Sequence, residues 1–151
     1  EAVDLVDLVE NVVAAHSLPA RAKMMHTELT LQARRCLAEP ALLISVMDNL
    51  YSNAVHYGAE SGNIRIHSYR HGEQVRIDVA NSGEPIPAAE KNMIFEPFYQ
   101  GSHQRKGAVK GSGLGLSIAR PCVRQMQGEL SLVDAPAGQV CFRITLPSAP
   151  E

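Results

Sequence analysis

Hydrophobic positions recur along the chain with two periods, and the changes of period mark its elements. Val3, Val6, Leu8, Val9, Val12 and Val13 follow helical spacing and predict an amphipathic helix over residues 3–16. Leu29 and Leu31 alternate with polar neighbours, which predicts a strand at 27–33. Pro40 suits a first helical position, and the run ALLISVMDNLYSNAVHY carries a long helix on to about residue 57. After a loop from Gly58 to Gly62, Ile64 and Ile66 alternate with Arg65 and His67, and Val75, Ile77 and Val79 with Arg76 and Asp78. His71-Gly72 stands between these two strands as a hairpin turn. Beyond residue 82 the alternation stops. Gly83, Pro85, Pro87, Pro97, Gly101, Gly107 and Gly111 punctuate residues 82–112, where only MIFEPFY at 93–99 is apolar. A long irregular stretch in a compact domain is typical of lids and binding loops. A helix from about 113 to 127 follows, then strands at 129–133 and 139–146, the second with Val140, Phe142, Ile144 and Leu146 in alternation.

This pattern predicts about three helices and about five strands, with the helices on one face of a mixed, mostly antiparallel sheet: an α+β two-layer sandwich. The 151 residues suffice for one domain with a real core, and the 45% hydrophobic content fits a globular chain. A formal net charge of −2 gives no broad footprint for nucleic acid or an acidic membrane. Cys36, Cys122 and Cys141 form no CxxC and no even framework, so they read as buried thiols of a reducing compartment. The sequence contains neither an apolar run of membrane-spanning length nor a signal peptide, and the opening at Glu1 suggests a domain cut from something longer.

The candidate chemistry starts at KGSGLGLSIAR, residues 110–120. Gly111, Gly113 and Gly115 run straight into a predicted helix, although glycine weakens a helix interior by about 1 kcal/mol. Such glycines let backbone N–H groups approach a phosphate at a helix N-terminus. The run matches neither the dinucleotide fingerprint nor the P-loop, and by itself it is more often an ordinary turn. On the helix at 40–57, Leu43, Val46, Met47, Leu50 and Ala54 share a core face. Asn49, Asn53 and His56 form a separate stripe roughly 110° around from it, which suits either a pocket edge or a solvated surface. An Asn oxygen is a hard neutral ligand suited to Mg²⁺. VANSGEPIP at 79–87 follows a strand, with Gly83 allowing close approach and Asn81 offering an amide donor and acceptor. GSHQRKGAVKGS carries Arg105, Lys106 and Lys110 and no acid, which suits a polyphosphate or simply a solvated loop.

In this order the four segments resemble the ATP-binding domain of sensor histidine kinases. NLYSNAVHYG at 49–58 is similar to its N box, NSGEPIP at 81–87 to its G1 box, IFEPFYQG at 94–101 to its F box and GSGLGLSIAR at 111–120 to its G2 box. The resemblance covers nearly the whole chain. The run FYQGSHQRKGAVKGSGLGLSIAR is similar to that of one enterobacterial branch of these kinases. The resemblance implies the Bergerat fold shared with gyrase, Hsp90 and MutL, with a single catalytic domain over 1–151. It implies ATP and Mg²⁺ as cofactors, with Asn53 as the Mg²⁺ ligand, Asn49 supporting it, and His56 near the phosphates where many members have Lys or Arg. Tyr57 would lie beside adenine, and Asn81 takes the place of the aspartate that accepts from the adenine amino group. Pro85 stands where a second glycine is common. Ile86, Phe98 and Leu114 would be pocket walls, and the amides of Gly111, Gly113, Leu114, Gly115 and Leu116 would face the phosphates. Arg105 and Lys110, or Lys106 in their place, would reach the γ-phosphate from a mobile lid.

The implied activity is transfer of the γ-phosphate to a histidine on a separate dimerisation hairpin, with a response regulator as the downstream partner. Relatives that hydrolyse ATP have a glutamate where this chain has Asn49, and asparagine cannot act as that base. No HExRTP-like motif surrounds any histidine, so the chain is expected to be the ATP-binding half alone. That half would be a monomer when isolated, and the cytoplasmic part of a homodimeric inner-membrane sensor when whole. A serine kinase on the same fold and a non-catalytic binding module are the rival readings. Pro121 is expected to kink or break the helix after the G2 box.

Overall fold

The computed structural model describes residues 1–84, 86–91, 93–96 and 115–149. Strands β2 (His26–Leu31), β4 (Asn63–His71), β5 (Gln74–Ser82), β6 (Glu129–Val133) and β7 (Gln139–Pro147) form one sheet in the order β2-β4-β5-β7-β6. β4 and β5 are a hairpin whose register ends at His71 opposite Gln74. Gly72 takes the positive φ of 66° that a two-residue connection favours. β5–β7 and β6–β7 are antiparallel as well. β2 and β4 are parallel, since the chain between them crosses over through helix α3 (Pro40–Tyr57). The mixed, mostly antiparallel sheet agrees with the sandwich expected from the alternation.

One set of alternate sheet positions builds the core. Ile64 and Ile66, Val75, Ile77 and Val79, Leu130, and Phe142, Ile144 and Leu146 are all buried. They join Leu43, Val46, Met47, Leu50 and Ala54 of α3 in one hydrophobic cluster, together with Leu5, Leu8, Val9 and Val12 of α1 (Leu5–Ala15) and Ala119 and Val123 of α4 (Gly115–Gln125). α3 packs against α1, α4 and β5 and is the central element. The opposite sheet face is polar. There Arg143 holds Asp78 through two N–H donors at 2.9 and 3.2 Å across the β5–β7 ladder.

The first helix is shorter than its periodicity predicts. Asp4 accepts from the Val6 and Asp7 amides at 2.9 and 3.1 Å and caps α1, so the helix starts at Leu5. Residues Ala2–Asp4 are instead strand β1, paired antiparallel with β3 (Arg35–Leu37), with Val3 opposite Cys36. A short helix α2, Ser17–Ala22, follows α1. Of the three thiols, Cys36 and Cys141 are buried, and burial pushes each up to about 11. Cys122 is only half-buried, which corrects the expectation for that residue.

Pro121 does not break α4, which runs from Gly115 to Gln125 through it. Proline φ matches the helix, so the cost is one hydrogen bond and some crowding. Pro121 lies on the exposed side, while Ala119, Val123 and Met126 anchor the helix in the core. Tertiary packing holds the helix together where local propensity alone would end it.

Candidate nucleotide site

The candidate residues on α3 sit near its C-terminus. Asn49, Asn53, His56 and Tyr57 are all half-buried, at the border between core and solvent. The His56 and Tyr57 rings meet edge-on, with centroids 4.4 Å apart. Burial raises the Tyr57 phenol above its ordinary range. Asn81 lies on β5, opposite Ile64 on one side and Val140 on the other. It is 8% exposed on the core-facing side of the sheet, and its Nδ2 donates to the Ser82 carbonyl at 3.0 Å. A polar side chain in this apolar row is costly unless it has partners, which makes Asn81 the exceptional position of the strand.

The end of α3 and the end of β5 close on each other. The Ala59 amide donates to the Ser82 carbonyl at 2.9 Å, and the Asn63 amide to Ser82 Oγ at 2.8 Å. A β-carbon on Gly83 would lie 3.2 Å from Asn81 Nδ2, 3.2 Å from the Tyr57 carbonyl and 3.6 Å from Gly58 Cα. A β-carbon on Gly58 would lie 2.5 Å from the Ala54 carbonyl and run into the Met25 methyl group. Gly58 therefore stands where a side chain has no room, and Gly83 where one fits only if its neighbours shift. Tyr57, Gly58, Asn81 and Gly83 form one cluster, drawn from two motif segments more than twenty residues apart.

Ile86 and Leu116 pack partly buried against the core, and Gly115 opens α4, which lies along α3. Phe98, Arg105, Lys106, Lys110, Gly111, Gly113 and Leu114 lie outside the described residues, as does Pro85. The apolar segment at 93–96 is anchored by contacts that have no local signature. Ile94 is buried, and the Arg120 guanidinium stacks 4.2 Å from the Phe95 ring centroid, while Phe95 meets Phe142 edge-on. Arg120 also reaches Glu129 at 3.4 Å. Lys23, the residue that follows α2, reaches the carbonyls at the end of α3, and nothing in local periodicity marks a lysine that bonds more than thirty positions away.

No group of three or more His, Cys, Asp or Glu side chains able to hold a metal occurs among the described residues. The donor set fits Mg²⁺ all the same. That ion keeps waters and phosphate oxygens and needs only one or two protein ligands, and the Asn53 amide oxygen can serve as one.

The fold and the clustered boxes define an ATPase domain, and the chain belongs to the family of histidine kinase-, DNA gyrase B-, and HSP90-like ATPases, matched over residues 38–150. Within that family it is similar to the ATP-binding domain of sensor histidine kinases. It is 72% identical over 149 residues to the sensor histidine kinase GlrK of Escherichia coli (strain K12), covering 99% of this chain and 31% of GlrK. It is 72% identical over 147 residues to the sensor histidine kinase QseE of Escherichia coli O157:H7, covering 97% of this chain and 31% of QseE. This is the enterobacterial branch resembled by the run at 98–120. The solved catalytic domain of histidine kinase ThkA superposes with a TM-score of 0.83 at 28% identity, covering 100% of this chain and 98% of that one. ThkA has also been solved in complex with the response regulator protein TrrA. The chain thus spans about a third of the curated relatives it matches. No described helix is long and apolar enough to cross a membrane.

Proposed function

We propose that this chain binds Mg-ATP and presents its γ-phosphate to a histidine on a separate dimerisation hairpin, as the kinase module of two-component signalling to a response regulator. The observation that carries the reading is the cluster of Tyr57, Gly58, Asn81 and Gly83. It combines a flat backbone approach with a buried amide and an aromatic wall, as a purine needs.

Asn81 orients the adenine by hydrogen bonding, and Tyr57 and Ile86 wall it. Asn53 supplies one oxygen to the metal, with Asn49 one turn behind it. The metal, when bound, neutralises phosphate charge. His56, beside Tyr57 in the last turn of α3, supplies charge toward the phosphates. Phosphoryl transfer depends mostly on positioning and charge stabilisation, and Arg105, Lys106 and Lys110 supply the remaining charge, with the glycine-rich start of α4 and Leu116 behind them. Asn49 cannot activate water, so net hydrolysis is slow and a protein nucleophile is the acceptor. The module, over residues 1–151, works as the cytoplasmic part of a homodimeric inner-membrane sensor.

Calorimetry of ATP binding to this chain, with and without Mg²⁺, tests the reading. Saturable 1:1 binding is expected, lost in Asn81→Ala and with its metal dependence abolished in Asn53→Ala. No binding up to millimolar ATP would overturn the kinase reading in favour of a non-catalytic module.

A further inference from the structure

The last turn of a helix leaves carbonyls that no helical N–H can reach. In α3 the Gly58 amide takes the Ala54 carbonyl at 2.9 Å, and the carbonyls beyond need other donors. The Lys23 ammonium supplies them, donating to the carbonyls of Val55 at 2.9 Å, His56 at 2.9 Å and Gly58 at 2.7 Å. An ammonium has three N–H donors, and here all three are used. It also places a full positive charge at the negative end of an 18-residue helix.

The Lys23 backbone is tied into the same corner. Its carbonyl accepts from the Ser61 amide at 2.8 Å, and the Gly62 carbonyl accepts from His26 at 3.0 Å. The loop after α3 is therefore fixed from the α2–β2 side by Lys23 and His26, and from the β5 side by Ser82. Burial lowers the Lys23 pKa while the charge of Glu60 acts the other way, so this is an ammonium held partly out of water.

We propose that Lys23 is a positioning residue for the nucleotide pocket: by pinning the last turn of α3 and the loop behind it, it sets where Tyr57 and Gly58 stand against Gly83, and so sets nucleotide affinity without touching nucleotide. The proposal rests on the nucleotide-binding reading above. Its effect falls on the last turn of α3, from Val55 to Gly58, and spares the metal-ligand position. The Asn53 carbonyl lies a turn back, inside the ordinary helical ladder, where Tyr57 N–H is its partner. Loss of Lys23 frees the helix end and leaves the metal-ligand position in place.

The test is calorimetry of ADP, and of ATP with and without Mg²⁺, on wild type, Lys23→Met and Lys23→Arg, with thermal unfolding of each. Lys23→Met is expected to bind metal-free ADP about tenfold more weakly, as loss of a charge-assisted cap implies. The gain in ATP affinity on adding Mg²⁺ should match wild type. Lys23→Arg, which keeps a cation and several donors, should stay within about threefold. A lower melting temperature with wild-type ADP affinity would mark Lys23 as merely structural and overturn the proposal. Equal loss of the Mg²⁺-dependent gain would mark general loosening of α3 and overturn it too. If the methionine variant does not fold, Lys23→Gln, which keeps two donors without the charge, replaces it with the same outcomes. Absence of nucleotide binding by wild type would instead sink the pocket reading itself.

Discussion

The carbonyl oxygen of Tyr57 lies 3.2 Å from the point where a β-carbon on Gly83 would stand, and Asn81 Nδ2 lies at the same distance. That spacing is tighter than ordinary van der Waals contact, so a methyl group there pushes the end of α3 and the end of β5 apart by a few tenths of an ångström. The shift falls on the residues assigned to adenine. Gly83→Ala is expected to lose more than about 1 kcal/mol of stability, because mild overpacking adds to a positive φ of 157°. ATP affinity should fall by a larger factor than the stability change explains. Calorimetry beside a thermal melt measures both, and wild-type affinity in a folded variant would remove Gly83 from the pocket.

His56 lies in the last turn of α3, on the side proposed for the phosphates, and histidine changes charge close to neutrality. A positive imidazole favours phosphate. Nucleotide affinity is therefore expected to rise roughly threefold as pH falls from about 7.5 to about 6, the range over which an ordinary histidine charges. His56→Lys, charged throughout, should show a flat profile apart from protonation of the nucleotide itself. Binding isotherms at three pH values for both proteins decide it, and equal pH dependence in the two would rule out His56 as the cause.

Where long periodic runs exist, the fold was legible. α3 begins at Pro40 and ends at Tyr57, and β6 covers 129–133, as the periodicity predicts. β1, β3 and α2 were not legible, because three-residue strands and a six-residue helix carry too few positions to show a period. Val3 kept the helical spacing yet pairs with Cys36, since the Asp4 cap fixes the start of α1. At the site, residue types named Asn81 and Gly83 individually, and the family resemblance added Tyr57. Their meeting depends on hydrogen bonds around residues 58–63 and on the Lys23 ammonium, which are long-range contacts with no local signature.

Cys36 and Cys141 give the fold a signature in alkali. Burial holds each thiol protonated up to about 11, against an ordinary value of 9.0. Between these values the unfolded chain gives up protons that the folded chain keeps, so stability must fall as pH rises from 9 toward 11. The limiting slope is about 1.4 kcal/mol per pH unit for each thiol. Raised Tyr57 acts in the same direction at the upper end, and lowered Lys23 opposes it. Urea unfolding of wild type and Cys36→Ala across this range isolates the thiol. The variant should be less stable at neutral pH and lose stability less steeply above pH 9, and parallel curves would refute the assignment. At pH 8 the half-buried Cys122 should react first with iodoacetamide.

Pro121 is a position where the sequence opposes its own fold. The helix carries it on the exposed side, so the ring meets water and the neighbouring turn rather than the core. Replacing it with alanine restores one backbone donor and removes crowding, a gain of up to about 3 kcal/mol in an unconstrained helix interior. Proline also restricts the unfolded chain, and losing that restriction gives back about 0.4–1 kcal/mol. α4 already holds its shape through Ala119 and Val123, so part of the local strain is already relaxed. The expected net gain for Pro121→Ala is about 1 kcal/mol, or a melting temperature higher by about 2–4 °C for a chain of this size. Since the ring faces away from α3 and the core, nucleotide affinity should not change. A destabilised Pro121→Ala would show that the ring makes packing contacts worth more than the hydrogen bond it prevents.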